Sequence, residues 1–122
     1  MFQIVFNEIS AAEMSQLDTL AQLDLLNEFK VDEASLANLP ESSRFGKIER
    51  GGRTLYRYRA KDYRIYFEVK DSQVIVHRVL HKGTLDDFFF RSSLPVSEDE
   101  ALGKNKTFWK LIDEGARAAR RG

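Results

Sequence analysis

Residues 55–69 read Leu-Tyr-Arg-Tyr-Arg-Ala-Lys-Asp-Tyr-Arg-Ile-Tyr-Phe-Glu-Val, and this stretch decides the fold. Tyrosines and arginines alternate in its first half, which is the period of a β-strand whose two faces differ. The Lys61-Asp62 pair marks a turn, and apolar and polar residues alternate again after it. The stretch therefore predicts an antiparallel hairpin whose arginines share one face with Tyr66, while its other tyrosines lie on the opposite face.

The neighbouring segments extend this hairpin into a sheet and add helices. Residues 45–50 run into Gly51-Gly52 and predict a preceding strand, while the apolar run 74–80 predicts a central last strand. Residues 2–6 predict a first strand, and apolar residues at helical spacing predict two short helices, or one bent helix, over 11–30. The predicted class is α+β: one strand, two short helices and then an antiparallel β-meander, with the helices on one face.

Capping signals mark where helices begin. Ser10 and Glu13 form a capping box, because the serine oxygen can accept an amide hydrogen while the glutamate reaches back to the cap. Residues 97–100 repeat that pattern before an extra C-terminal helix. The apolar face of this helix consists of Phe108, Leu111, Ile112, Gly115, Ala116 and Ala119. We expect the helix to pack on the core, with a partner surface as the alternative.

Composition excludes several classes of protein. The 122 residues suit one domain, and the absence of cysteine excludes disulfides, thiolate metal sites and a cysteine nucleophile. Only His77 and His81 could supply imidazole, so a histidine-rich zinc site is excluded too. No apolar run reaches membrane-spanning length, and the N-terminus has no basic leader. We expect a cytoplasmic protein with no cofactor, no metal and no membrane contact.

The formal net charge of zero hides an uneven distribution along the chain. Residues 1–45 hold eight acidic side chains against two basic ones, whereas residues 46–91 hold eleven basic against six acidic. Such segregation predicts a basic face toward an anionic partner. The alternative is that acidic helices and basic strands neutralise each other within one fold.

A cationic constellation stands out on the predicted hairpin. Three arginines fall on one of its faces: Arg57, Arg59 and Arg64. With Tyr66 among them, they would suit a phosphate backbone and a stacked base. The alternative is an ordinary outer face on which these arginines pair with Glu49 and Glu68.

These segments resemble the toxins of the RelE/ParE superfamily of type II toxin-antitoxin systems. The resemblance lies in residues 55–69 and 74–82, which match a basic strand, a turn, a Tyr-Arg-apolar strand and a last strand ending near His or Arg. It covers residues 1–91, which we expect to form the RelE/ParE-like toxin domain. Residues 92–122 would then be a C-terminal helical extension packed on the same domain. The resemblance implies a cognate antitoxin as partner.

The RelE-like branch implies a ribosome-dependent, metal-independent endonuclease that cuts ribosome-bound mRNA. In that branch cations hold the scissile phosphate, and the arginines of the constellation match those positions. Cleavage also needs proton transfer, which guanidinium groups perform poorly near neutral pH and which His81 is suited to perform. The resemblance thus implies His81 and Arg64 as catalytic residues. The implied RNA-binding residues are Arg57, Arg59, Lys82 and Tyr66.

Two positions depart from the ribonuclease pattern. Gly83 stands near the usual arginine and Phe89 where a tyrosine would sit, and phenylalanine cannot exchange a proton. The alternative is therefore a ParE-like or inactive relative that acts by protein binding, to DNA gyrase or to the antitoxin. Glu49 or Glu68 is an alternative general base, and His77 is expected to be packed.

Overall fold

The structure, a computed structural model, describes residues 3–37, 44–83 and 98–121. Its strands are β1 (Gln3–Phe6), β2 (Phe45–Arg50), β3 (Arg53–Ala60), β4 (Tyr63–Lys70) and β5 (Gln73–His81). Its helices are α1 (Glu8–Ser15), α2 (Thr19–Glu28), α3 (Glu33–Ala37), α4 (Glu98–Gly103) and α5 (Lys106–Arg121). In these ranges no helix is long and apolar enough to cross a membrane.

The strands form one mixed sheet in the order β1-β5-β4-β3-β2. β1 runs parallel to β5, and every other neighbouring pair is antiparallel, so β2 to β5 form a four-stranded meander. The predicted α+β class is confirmed, as are the first strand, the two short helices after it and the C-terminal helix. The predicted boundary at residues 91 and 92 lies outside the described residues.

One face of the sheet, the first face, packs against α1 and α2. The Phe29 ring, which follows α2, lies 5.2 Å from the ring of Tyr58 and 5.5 Å from that of Phe67. The other buried residues of this core are Met14, Leu17, Leu25, Val31, Phe45, Ala60, Ile65, Val74, Val76 and Val79. The alternation along β3 and β4 thus places Tyr58 and Ile65 on the first face, as predicted.

The opposite face, the second face, is covered by α4 and α5. A second core of buried side chains joins these helices to β2–β5: Ile48, Leu55, Tyr66, Leu80, Leu102, Phe108, Trp109 and Ile112. The expectation of helices on one face only is therefore wrong. The periodicity of α5 correctly predicted Phe108, Ile112 and Gly115 on its buried side, but an apolar helix face does not say which sheet surface it covers.

The first helix begins earlier than its sequence pattern predicts. Asn7 is the N-cap: its side-chain oxygen accepts the Ser10 amide at 2.7 Å, and the Ser10 hydroxyl accepts the Asn7 amide at 3.0 Å. The predicted box of Ser10 with Glu13 is wrong, because Glu13 turns away to bind β5. In the second predicted box, residue 97 lies outside the described residues and α4 begins at Glu98.

Asn7 and Gly115 hold α5 against the sheet. The Asn7 amide nitrogen donates to the carbonyl oxygens of Val76, His77 and Gly115 at 3.1, 3.2 and 2.9 Å. A Cβ atom on Gly115 would lie only 2.3 Å from the His77 carbonyl oxygen. Glycine at this position therefore lets the helix approach the backbone of β5 closely.

Replacing Gly115 by alanine should loosen this contact. Because the clash is with backbone that cannot rotate away, we expect Gly115→Ala to lower the free energy of unfolding by about 1–3 kcal/mol. Urea denaturation followed by circular dichroism measures the change. The control is Arg117→Ala on the exposed side of the same helix, expected to stay within about 0.5 kcal/mol of the native protein. Equal stabilities would contradict the proposed contact.

Candidate functional site

The predicted arginine face exists, but most of it is buried. Cross-strand pairing sets Arg57 opposite Tyr66 and Arg59 opposite Arg64, so all four side chains share the second face. Tyr66 is 0% exposed, Arg57 6% and Arg64 8%, whereas Arg59 is exposed. The expectation of a solvent face is wrong for the first three. Tyr66 packs in the core beneath α5 and Arg57 is bound by α4, whereas Arg64 is buried at the β3–β4 turn.

Arg57 is held by a carboxylate from α4. Its Nε and Nη2 atoms each donate to the Asp99 carboxylate at 3.0 Å, and its Nη1 donates to the Arg44 carbonyl at 2.9 Å. Gly46 lies opposite on β2, and a Cβ there would fall 2.1 Å from Nη2 of Arg57. The Arg57 guanidinium thus occupies the space that a side chain at position 46 would fill. Each of its three nitrogens donates a hydrogen bond within the protein.

Arg64 stabilises the β3–β4 turn. Its Nη1 donates to the carbonyl oxygens of Lys61 and Tyr63, each at 3.0 Å. Lys61 has a positive φ of 54°, a left-handed conformation that side chains seldom adopt without support. The Arg64 guanidinium therefore ties down the two ends of a tight, strained turn.

His81 lies on the other side of the sheet from Arg64. His81 pairs with Tyr63 across the strands, and their rings lie 5.1 Å apart on the first face. Arg64 pairs with Leu80 on the second face. Because successive residues of a strand point to opposite sides, the sheet separates the two residues predicted as catalytic.

Lys82 and Gly83 follow β5 at the surface. The Lys82 ammonium lies 3.2 Å from the Asp62 carboxylate, and both side chains are more than half exposed. The Gly83 amide donates to Nδ1 of His81 at 3.0 Å. Phe89, the other departure from the ribonuclease pattern, lies outside the described residues.

A bulge in β5 sends its two histidines to opposite faces. Phe67 pairs with Val76 and Tyr66 with Arg78, which leaves His77 as the extra residue between them. In a regular strand the four-residue spacing of His77 and His81 would place both on one face, but the bulge reverses the alternation. His77 is buried, as expected, with Nε2 3.4 Å from Oε1 of Glu68.

Glu68 is the centre of a polar network at this end of the second face. Arg53 donates from Nε to Glu68 at 2.7 Å and from Nη1 to Asp113 of α5 at 2.5 Å. The His77 imidazole and then the Arg53 guanidinium hold the pKa of Glu68 at about 2, although partial burial opposes the shift. A carboxylate so stabilised is a poor general base at neutral pH. Glu49, the other proposed base, pairs with Lys47 in an exposed position.

Comparison with known proteins identifies the family. A family model described as "ParE toxin of type II toxin-antitoxin system, parDE" matches residues 11–85. The chain belongs to this family of toxins. The predicted resemblance to the RelE/ParE superfamily is thereby confirmed, and the chain is the toxin of a type II toxin-antitoxin system.

A solved structure shows a looser likeness. The crystal structure of the RelB-RelE antitoxin-toxin complex from Methanococcus jannaschii is 18% identical, with a TM-score of 0.44. The alignment covers 71% of this toxin and 98% of that chain. No curated protein matches the sequence significantly.

Two acidic partners of the sheet arginines could not be read from the sequence. The sequence pattern places both Asp99 and Glu13 in predicted helix caps. Glu13 instead binds Arg78, with 2.7 Å between its Oε2 and Nη2, and Glu114 of α5 lies 3.4 Å from the same guanidinium. Nothing in the local pattern of either acid points to an arginine so distant in sequence. In the described ranges no three His, Cys, Asp or Glu side chains converge as metal ligands.

Protonation of Glu68 should weaken the fold of the toxin at acid pH. A lowered pKa means that the stabilisation is complete above the ordinary value of 4.5 and is lost as the pH falls toward about 2. We expect the native toxin to lose more stability than Glu68→Gln between pH 5 and pH 2.5. Urea unfolding midpoints of both proteins, measured across this pH range, test the expectation. The same pH dependence of the midpoint in the two proteins would contradict it.

Loss of the Asp99 carboxylate should leave the buried Arg57 guanidinium without its ion-pair partner. Because Asp99 is 23% exposed, we expect Asp99→Asn to cost about 1–3 kcal/mol, below the cost of breaking a fully buried pair. The matched control is Asp62→Asn, whose pair with Lys82 is open to water and worth less than about 1 kcal/mol. Thermal melting of the two variants compares the costs, and an equal or larger effect of Asp62→Asn would contradict the assignment.

Proposed function

We propose that this toxin arrests growth by binding a protein and that it does not cleave mRNA. The sequence alone favours a RelE-like mRNA endonuclease and keeps a protein-binding toxin as the alternative. The observation that supports the alternative is that α4 and α5 cover Arg57 and Tyr66. Arg57, which would hold a phosphate, is already bound by Asp99 as if by an anionic ligand.

Removing the cover would cost too much for routine turnover. Leu102, Phe108 and Ile112 are fully buried under it, and burying each such side chain contributes roughly 1.5–3 kcal/mol. Exposing the three together would cost on the order of 5 kcal/mol, which leaves far fewer than one molecule in a hundred open. An RNA strand would have to supply this energy before it reached Arg57.

The second face also lacks a residue well placed for proton transfer among the residues that the structure describes. The predicted proton carrier, His81, lies on the first face, and Glu68 remains ionised at neutral pH. His77, the histidine of the second face, is buried at a bulge beneath α5. These positions support a structural role for the second face. The competing prediction, which follows from the sequence, assigns RNA cleavage to His81, Arg64, Arg57, Arg59, Lys82 and Tyr66.

An exposed leucine row on α2 supports action by protein contact. Leu20, Leu23 and Leu26 follow one another at three-residue intervals and are 75%, 53% and 44% exposed. Neighbouring exposed apolar side chains are typical of a protein interaction surface. We assign the leucine row to the cellular target, for which DNA gyrase is the first candidate, and we place this action in the cytoplasm. A cognate antitoxin is the second protein partner that the toxin family implies.

Induced expression of the toxin in bacteria tests the proposal. We expect the native chain to arrest growth while mRNA stays intact, with no new ends carrying 2′,3′-cyclic phosphate. Arg59→Ala and His81→Gln, at exposed positions, should arrest growth as strongly as the native chain. Cells that express the double variant Leu20→Ser, Leu23→Ser should form at least tenfold more colonies than cells that express the native chain. Cells that express the control variant Asn27→Ser, on the same helix, should not.

The outcomes separate the candidate functions. Fragmented mRNA that disappears with His81→Gln would support the endonuclease and contradict the proposal. Inhibition of DNA supercoiling by the purified native toxin, lost in the double leucine variant, would identify gyrase as the target. Normal growth with soluble native protein would contradict both forms of toxin and leave the inactive relative.

A further inference from the structure

We propose that the toxin binds the phosphodiester backbone of nucleic acid through a surface separate from the covered arginine face. This surface, the cationic band, consists of Arg50, Arg53, Lys70, Lys106, Lys110 and Arg117. It lies where α5 passes over the hairpin ends of the sheet. The inference goes beyond the proposed protein target and does not depend on it.

One side of the band consists of cations aligned along α5. Lys106, Lys110 and Arg117 follow at intervals of four and seven residues, which places them along one side of α5 over about 16 Å. That length spans several phosphates of a nucleic acid strand, because duplex DNA carries one charge per about 1.7 Å of its axis. The band is thus long enough for a polymer of phosphates.

The sheet supplies the other side of the band. Arg50 ends β2, Arg53 begins β3 and Lys70 ends β4, so all three lie at the same end of the meander. Two open clefts run between these residues and α5. One has a volume of about 450 Å³ and is lined by Arg50, Arg53, Lys106 and Lys110. The other has a volume of about 500 Å³ and is lined by Arg53, Lys70 and Arg117.

The charge of the band is largely uncompensated. Glu68 and Asp113 are the carboxylates that line the two clefts, and Arg53 binds both of them. Within the described part of the chain, the other five cations of the band have no ion pair. Six cations against two carboxylates leave an excess positive charge of four, histidine aside, in a protein whose net charge is zero.

The chemistry of the band fits phosphate better than a protein partner. Protein interfaces depend on a few apolar or aromatic anchors that become buried on binding. The aromatic residue here, Trp109, is already buried, with the Arg53 guanidinium 5.3 Å from the centre of its ring. Binding to a phosphate backbone needs only cations that release condensed counterions. The band offers such cations without an apolar anchor.

Fluorescence anisotropy with the full-length toxin tests the inference. The probes are a labelled duplex DNA and a labelled duplex RNA of the same arbitrary sequence, each titrated at several salt concentrations. We expect Lys106→Gln combined with Lys110→Gln to weaken binding about tenfold at low salt and to reduce the salt slope by about 2. Lys30→Gln combined with Lys61→Gln removes the same charge elsewhere and should change the affinity less than about twofold.

Each remaining outcome decides the matter. No binding of the native toxin at low salt, or equal losses in the two double variants, would overturn the inference. Polyglutamate that displaces the probe as well as unlabelled nucleic acid, charge for charge, would assign the band to an acidic protein and overturn it too. Equal affinity for DNA and RNA would show that the backbone alone is read, and a preference would identify the nucleic acid. Unchanged melting temperatures show that the variants are folded.

Discussion

The close contact between α5 and the backbone of β5 is the constraint on which the second half of the structure depends. Gly115 lets the helix lie directly against His77, and Asn7 donates to carbonyls of both elements while it caps α1. A buried amide that donates to three carbonyls favours one arrangement of the elements that meet there, because any other would break these hydrogen bonds. The position of α5 in turn sets where α4 and its Asp99 can lie.

That placement changes the role of the strand arginines. On an open sheet, Arg57 and Arg64 would be anion-binding groups, and the sequence pattern describes them so. In the folded toxin, Arg57 neutralises Asp99 of α4, and Arg64 holds the carbonyls of a strained turn. Burial makes these contacts compulsory, because a guanidinium removed from water needs partners for its donors. The same residues that mark the superfamily thus stabilise the fold of this member.

The covering helices also change what the surface offers. They bury the polar face of the meander, and the exposed features that remain are a leucine row on α2 and the cationic band beside α5. The first suits a protein partner and the second a phosphate polymer. Acidic and basic residues are separated along the chain but only partly on the surface. Arg53, Arg57 and Arg78 are each paired with an acidic side chain.

The sequence by itself determined the element types, the hairpin at 61–62 and the superfamily, because strand alternation, turn residues and helical periodicity are local properties. It also placed Arg57, Arg59 and Arg64 on one face. Only the tertiary structure decided whether that face is open, since no local pattern tells which surface an amphipathic helix covers. The bulge at His77 and the pair of Arg57 with Asp99 were likewise hidden, because both depend on how segments far apart in sequence come together.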